Sequence, residues 1–378
     1  LNASDFRIQP VTDDAGMDQF IRLPYRLHQG DPNWIPPLLL ERKESLSPKL
    51  NPFFDHADVR FFLAWQGERL VGRISAQVDR SALELHRNAT GNFGLLAAEN
   101  DPALVRALLG AAEEWLKGQG INHVIGPFNL SINEETGMLV EGRDTPPMLM
   151  MGHDREYLPG LVEQAGYGKA KDIFAYLYDI QKDMPRSVRA LIDRPLPAGL
   201  SVRMLDMKRY DADLRAITDV FNTAWTGNWG FVPLNEAEIA HMAKSLKPII
   251  NPRLVWIAEL NGDPVAFGVC LPNLNEAIFD LGGKLLPFGW AKLLWRLKVK
   301  GVKTARVPLM GVKRGLATGL APVLPFLIID GMRREALKLG YRQIELSWIL
   351  EDNMPMRRII EALGTSRYKT YRLFGKDL

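Results

Sequence analysis

Cysteine is nearly absent from this sequence. Cys270 is the only one in 378 residues, so no disulfide can form within the chain, and chemistry built on cysteine pairs is excluded. It lies in the apolar run Val265-Ala266-Phe267-Gly268-Val269-Cys270-Leu271, which reads as a buried strand where a thiol is inert. Such usage fits a reducing compartment. Long apolar runs are also missing. The longest uncharged one, Leu316 to Ile329, has 14 residues and is broken by Gly319, Pro322 and Pro325, whereas a membrane-spanning helix needs about 20. Leu1-Asn2-Ala3-Ser4-Asp5 has no basic region followed by an apolar core, so no signal peptide is expected and the expected location is cytoplasmic. The sequence holds no His-Glu-x-x-His helix, Gly-x-Ser-x-Gly elbow or Walker loop, and no metal is expected.

Net charge is small, with 47 Lys and Arg against 44 Asp and Glu, so no nucleic-acid partner is expected. The charge is unevenly placed. Between Leu281 and Ile329 there is no Asp or Glu, while Lys284, Lys292, Arg296, Lys298, Lys300, Lys303, Arg306, Lys313 and Arg314 are all there. An anionic ligand or membrane surface would be drawn to that segment; a solvated basic face is the plainer reading. Within Leu285 to Lys303, Trp290, Leu293, Leu294 and Leu297 recur at helical spacing beside Lys292, Arg296, Lys298 and Lys300. That pattern suits an interfacial helix in peripheral contact with the anionic inner face of the cytoplasmic membrane, and equally a helix packed on a core.

A hydrophobic share of 47% with 24% charged residues is that of a globular protein, and the length predicts two domains. Both halves show the same order of elements. The first has a strand at Arg7 to Val11, a hairpin over Val59 to Asp79, a helix over Ala103 to Lys117, a strand at Ile121 to Gly126, a helix over Tyr157 to Ala165 and a strand at Asp172 to Ile180. The second has a strand at Ser201 to Leu205, helices over Leu214 to Trp225 and Glu236 to Leu246, and a hairpin over Leu254 to Leu271 turning at Asn261-Gly262. A helix over Pro325 to Leu339, a strand at Ile344 to Leu350 and a helix over Met356 to Leu363 follow. The turn glycines Gly67 and Gly262 are 195 residues apart, and Gly166 and Gly364 are 198 apart. Such offsets indicate duplicated modules, divided near Asp193 to Gly199 into domains 1–195 and 200–378.

This order resembles that of the GNAT acyltransferases, which implies an α/β, tandem GNAT-like fold of two mixed sheets flanked by helices. The segment Val307 to Ala317 resembles the superfamily's pyrophosphate loop, which implies acyl-CoA as co-substrate, bound by Gly311, Val312, Lys313, Arg314, Gly315, Leu316 and Ala317. Small residues let backbone N–H groups approach phosphates, and a following helix N-terminus and nearby cations add attraction. Asn353, ahead of Met356, Ile359 and Ile360, resembles the superfamily's late strand, Asn and helix. Ile360 stands where many members place a tyrosine acid.

The block Gly126-Pro127-Phe128-Asn129-Leu130-Ser131-Ile132-Asn133-Glu134-Glu135-Thr136-Gly137, continued by Leu139 to Pro147 and Met148 to Tyr157, resembles the bacterial ceramide synthases. That resemblance implies transfer of a fatty acyl group from acyl-CoA to a sphingoid base; another amine such as an amino acid or amino sugar, or a non-catalytic lipid- or CoA-binding protein, is the alternative. Glu134 and His153 are the candidate bases. Asn129, Ser131, Asn133, Glu135, Asp144 and Asp154 are candidate contacts for a lipid or small-molecule amine, although the same residue types also cap helices and close turns.

Overall fold

The computed structural model describes residues 6–316 and 319–378. Its first elements are β1 (Phe6–Pro10), α1 (Asp14–Leu27), α2 (Leu39–Ser45), β2 (Ala57–Gln66), β3 (Arg69–Asp79), α3 (Arg80–His86), β4 (Thr90–Ala98) and α4 (Pro102–Gly118). Next come β5 (His123–Gly126), β6 (Phe128–Asn129), β7 (Glu135–Thr136), β8 (Met138–Glu141), α5 (Leu158–Gln164), β9 (Gly168–Asp179), α6 (Arg186–Ile192), β10 (Leu200–Met204), α7 (Tyr210–Trp225) and α8 (Glu236–Leu246). The chain ends with β11 (Val255–Leu260), β12 (Asp263–Pro272), α9 (Leu274–Ile278), α10 (Gly289–Trp295), β13 (Thr304–Val312), α11 (Leu324–Lys338), β14 (Gln343–Leu350), α12 (Met354–Ala362) and β15 (Ser366–Asp377). Two compact units result: 1–173 with 278–286 and 369–378, and 174–277 with 287–368.

In the first unit the strand order is β1-β2-β3-β4-β5-β15. It is mixed, because β4 and β5 run parallel while the other neighbours are antiparallel. Alternation along β2 sends its residues to two cores. Phe62 and Ala64 join Leu104, Leu108 and Ala112 of α4, whereas Phe61 and Leu63 join Phe20 and Ile21 of α1, as the two-residue period of a strand requires. Asp101 starts α4, its carboxylate accepting from the Ala103 and Leu104 amides at 2.7 and 3.2 Å, with Pro102 in the first turn.

The insertion between β5 and α5 is fixed to this sheet by three polar contacts, two of them buried. Gln77 Nε2 donates to the carbonyls of Phe128 and Leu130 at 2.6 and 3.2 Å, and Asn129 Oδ1 accepts from the Leu95 amide at 2.7 Å. The backbones approach so closely that a Cβ on Gly94 would lie 1.8 Å from the Phe128 carbonyl oxygen.

The second unit orders its strands β9-β14-β13-β12-β11-β10. Here β13 and β14 run parallel, and β10 to β13 are antiparallel. The Asn261-Gly262 turn has positive φ at both residues, 53° and 89°, as a tight hairpin demands. Gly268 lets β12 approach α11, where a Cβ would meet Ile328 at 2.6 Å; Gly311 does the same toward Ala224 of α7. Cys270 is fully buried in β12.

The expected phosphate loop needs correction at its start. Residues 307–312 belong to β13, where Val269↔Leu309 and Ala266↔Val312 pair with β12, so the loop begins only at Lys313. Turns at residues 319–323 precede α11, which opens at Leu324 with Pro325 in its first turn, where proline's missing N–H costs no intrahelical hydrogen bond.

Gly94→Ala should lower stability by about 1–3 kcal/mol, since β4 or the insertion must move to admit a methyl group. Gly110→Ala, on α4 with nothing within 4 Å, should instead raise it by about 0.5–1 kcal/mol. Urea denaturation of the two variants checks both signs.

Candidate active site

In the second unit a cleft opens where two parallel strands part. The β13–β14 register runs from Thr304↔Gln343 to Val307↔Leu346 and ends there. Pro308 follows, with no N–H to extend a ladder, and β13 carries an extra residue between Arg306 and Leu309 relative to β12, a bulge that bends the strand. The diverging ends line a cleft of about 790 Å³ together with Trp225, Trp229, Met356, Ile359 and Ile360. Its size and its mostly apolar lining suit a small organic ligand.

Lys313, Arg314, Gly315 and Leu316 line the same cleft, as do Gly311, Val312 and Asn353; Ala317 lies outside the described residues. Lys313 is paired with Asp219 at 2.7 Å, while Arg314 is exposed beside Gly227. Asn353 caps α12, its Oδ1 accepting from the Met356 amide at 3.2 Å. Trp225 and Trp229 line the cleft, whereas Phe231 is buried against Phe221, ring centroids 5.5 Å apart.

Below the parting point lies a polar group that no sequence pattern marks. Arg306 and Glu345, on adjacent strands, are fully buried and 3.3 Å apart. Ser347 Oγ accepts from Arg306 Nε at 2.8 Å and donates to Glu345 Oε1 at 2.6 Å. Tyr368 donates its hydroxyl to the other Glu345 oxygen. The Arg306 guanidinium lies 4.7 Å over the Trp348 ring, and Ser347 and Trp348 both line the cleft.

In the first unit the insertion gathers charge. Asn129 Nδ2 donates to Glu135 Oε2 at 3.1 Å, and Arg42 donates to the other oxygen. Burial pushes the Glu135 carboxyl up, but Arg42 and Asn129 outweigh it and hold the pKa below the ordinary value. Glu134, one residue earlier, meets Asn51 Nδ2 at 3.5 Å; burial outweighs that contact and the Arg42 charge and raises its pKa to about 8. Adjacent carboxyls are thus driven apart in acidity, the pattern that separates an acid or base from a fixed charge. Arg73 lies nearby, and burial with Arg42's charge works against its charged form.

His153 is buried and meets Asp31 at 3.1 Å through Nε2. An ionised carboxylate only accepts, so Nε2 carries the proton and Nδ1 the lone pair. Burial lowers the His153 pKa and Asp31 opposes the shift. His28 stacks on Trp34 at 4.8 Å with its centroid 6.3 Å from that of His153; burial drops its pKa to about 3. Asp154 accepts from the Leu139 amide at 2.7 Å, and burial raises its pKa to about 6. Ser131 and Asn133 close the turn ahead of Glu134, the Asn133 amide donating to Ser131 Oγ at 3.1 Å. Asp144 is exposed. Arg42, Asn51, Arg73 and Asp31 come from distant segments and carry no local motif. Among the described residues no group of three or more His, Cys, Asp or Glu is placed to hold a metal ion.

No family model matches the chain. It is 52% identical over 377 residues, 99% of this chain and 98% of the relative, to bacterial ceramide synthase of Caulobacter vibrioides (strain NA1000 / CB15N). The chain belongs to the bacterial ceramide synthase family. Protein YghO of Escherichia coli (strain K12) is 43% identical over 361 residues, 95% of this chain and 92% of that protein. Among solved structures, a tandem GNAT protein from the clavulanic acid biosynthesis pathway matches with TM-score 0.56 and 13% identity over 99% of this chain and 98% of its own. A GCN5-related N-acetyltransferase from Sphaerobacter thermophilus matches with TM-score 0.54 and 15% identity over 99% and 96%. The fold is therefore tandem GNAT, and this family member is an acyltransferase. No helix among the described residues is long and apolar enough to cross a membrane.

The raised Glu134 pKa has a consequence for stability. Between the ordinary value of 4.5 and about 8, the unfolded chain ionises this group while the folded chain keeps its proton. The folded state then binds more protons, and stability falls as pH rises through that window. Glu134→Gln removes the slope: its melting temperature should match wild type near pH 4 and exceed it by a few degrees at pH 8. Parallel melts at the two pH values check this.

Proposed function

We propose that the enzyme transfers a fatty acyl group from acyl-CoA to the amine of a sphingoid base, forming a ceramide-like lipid. The observation that carries the reading is the full-length 52% identity to a protein named bacterial ceramide synthase, with the cleft at the β13–β14 divergence as its physical support. A cleft of about 790 Å³ with an apolar wall and cations at its rim suits a thioester with a long chain and a phosphorylated handle. In this reading residues 200–378 bind acyl-CoA through Gly311 to Ala317 and Asn353, and residues 1–195 carry the acceptor.

Direct transfer needs a neutral amine, so a base must take the ammonium proton before nitrogen attacks the thioester carbon. Glu134 and His153 are assigned that task. Glu134, raised to about 8, takes the proton in its ionised form, whose share grows as pH rises toward that value, and His153 presents the Nδ1 lone pair because Asp31 occupies Nε2. Asn129, Ser131, Asn133, Glu135, Asp144 and Asp154 are assigned to the acceptor's polar end. Purified protein should release free thiol from long-chain acyl-CoA only when a sphingoid base is present, with the amide found by lipid mass spectrometry. Release with amino acids or amino sugars instead would reassign the acceptor, and no release with any amine would leave a binding protein. Arg314→Glu should raise the KM for acyl-CoA about tenfold; an unchanged KM removes Arg314 from the site.

A substrate of this kind resides in a bilayer, and we assign α10 and the turn of π-helix after it to an anionic membrane surface. The apolar spacing divides between two faces: Leu293 and Leu297 pack on the core, while Phe288, Trp290, Leu294, Trp295 and Val299 are 48–78% exposed. Lys292, Lys298 and Lys300 stand among them on the exposed side. Arg296 does not contribute to that face, being buried with its guanidinium on the Ala277 carbonyl at 2.8 Å. Exposed tryptophans among lysines suit the headgroup region. Wild type should float with vesicles containing phosphatidylglycerol, and Trp290→Glu with Leu294→Glu should not. Equal flotation of both proteins would overturn the assignment.

A further inference from the structure

Cleaving a thioester leaves an electron pair on sulfur, and in a mostly apolar cleft a donor supplied by the protein stabilises this charge. Most of the cleft cannot supply one. Val307, Pro308, Leu346, Ile349, Ile359 and Ile360 are apolar, and Ile360 is buried on α12. Ser347 is the hydroxyl at the point where β14 leaves β13, one residue past the last paired position, Leu346.

Its surroundings are costly to build. Arg306 and Glu345 are buried completely, and a buried ion pair seldom stabilises a fold more than apolar residues of the same volume would. Here the pair holds a serine in a defined orientation. Arg306 Nε donates to Ser347 Oγ at 2.8 Å, Ser347 donates to Glu345 Oε1 at 2.6 Å, and Tyr368 holds the second Glu345 oxygen. A charged donor on the serine oxygen makes its own O–H a stronger donor.

We propose that Ser347 is a catalytic residue, its hydroxyl turning from Glu345 to the thioester sulfur as the C–S bond breaks, and that Arg306 is a positioning residue that polarises it. The proposal rests on the acyl-CoA reading above and names the group that receives the leaving thiolate. In the step, one ammonium proton goes to the base, the nitrogen lone pair forms the C–N bond, and the second proton lost from nitrogen passes to water as the amide forms. The C–S pair goes to sulfur. Ser347 donates a hydrogen bond to that sulfur without losing its proton, and the thiolate is protonated by water on release. When the thiolate leaves, the hydroxyl returns to Glu345.

The test is leaving-group dependence. Full-length wild type, Ser347→Ala, Ser347→Thr and Arg306→Lys are assayed with a long-chain acyl-CoA and with the thiophenyl ester of the same acid, whose thiolate leaves without help. Ser347→Ala should lose about 100-fold in kcat on acyl-CoA with KM nearly unchanged, and less than about 3-fold on the thiophenyl ester. Ser347→Thr, which keeps the hydroxyl, should recover most of the loss. Arg306→Lys should repeat the leaving-group-dependent loss, and it decides the matter if the alanine variant does not fold. Wild-type kcat in Ser347→Ala, or equal losses on both esters in whichever variants fold, overturns the proposal while leaving the acyl-CoA reading intact. A wild type that turns over neither ester removes both.

Discussion

The second unit depends on the end of one parallel strand pair. β13 and β14 are hydrogen-bonded through Val307 and Leu346 and no further, because Pro308 offers no N–H and the bulge beside it bends the strand away. Separating two central strands exposes backbone and opens a hole in a sheet, which is unfavourable unless other groups fill or satisfy it. α7 packs on β12 and β13, and α11 packs on β11 to β13, so the hole is walled rather than collapsed. The cleft, the loop at Lys313 and the polar group around Ser347 all take their positions from that divergence.

The first unit solves a different problem, that of placing several charges in a partly dry environment. Arg42 pairs with Glu135, whereas Glu134 has a long 3.5 Å contact from Asn51. Burial outweighs the Asn51 hydrogen bond and the Arg42 charge, and keeps Glu134 neutral at pH values where an ordinary glutamate is charged. The same cause works on His153 in the opposite sense, since burial disfavours the charged imidazolium and leaves a base free near neutrality. One physical effect thus leaves Glu134 protonated and His153 unprotonated near neutrality, while Asn129 and Gln77 keep the segment bearing Glu134 seated on β3 and β4.

Periodicity and turn chemistry made much of the scaffold legible. The helix expected over Ala103 to Lys117 is α4 at Pro102–Gly118, that over Pro325 to Leu339 is α11 at Leu324–Lys338, and the two hairpins turn at the expected glycines. Other elements left little trace. β4 carries Gly91, Asn92 and Gly94, residues of low strand propensity, yet it is central in the sheet because Gly94 must let the insertion approach. α1 carries Pro24 in its interior, where proline reads as a helix breaker, although Asp13 caps its start by accepting from the Gly16 amide. β13 was hidden by its resemblance to a loop, since Pro308 and Gly311 look like breakers in isolation but sit at a bulge and a helix contact in the folded unit.

What the sequence alone determined was whatever depends on neighbours in the chain: the duplicated order of strands and helices, the lone buried cysteine, the acid-free basic segment, and the block from Asn129 to Asp154 in which the candidate bases lie. Tertiary structure decided the partners. Arg42 for Glu135, Asp31 for His153 and Glu345 for Arg306 come from 93, 122 and 39 residues away. The division of one apolar helix face into Leu293 and Leu297 inside and Trp290 and Leu294 outside also needed the fold. Periodicity records which residues share a face, but acidity and exposure are set by whatever packs against that face, and this is determined only when distant segments meet.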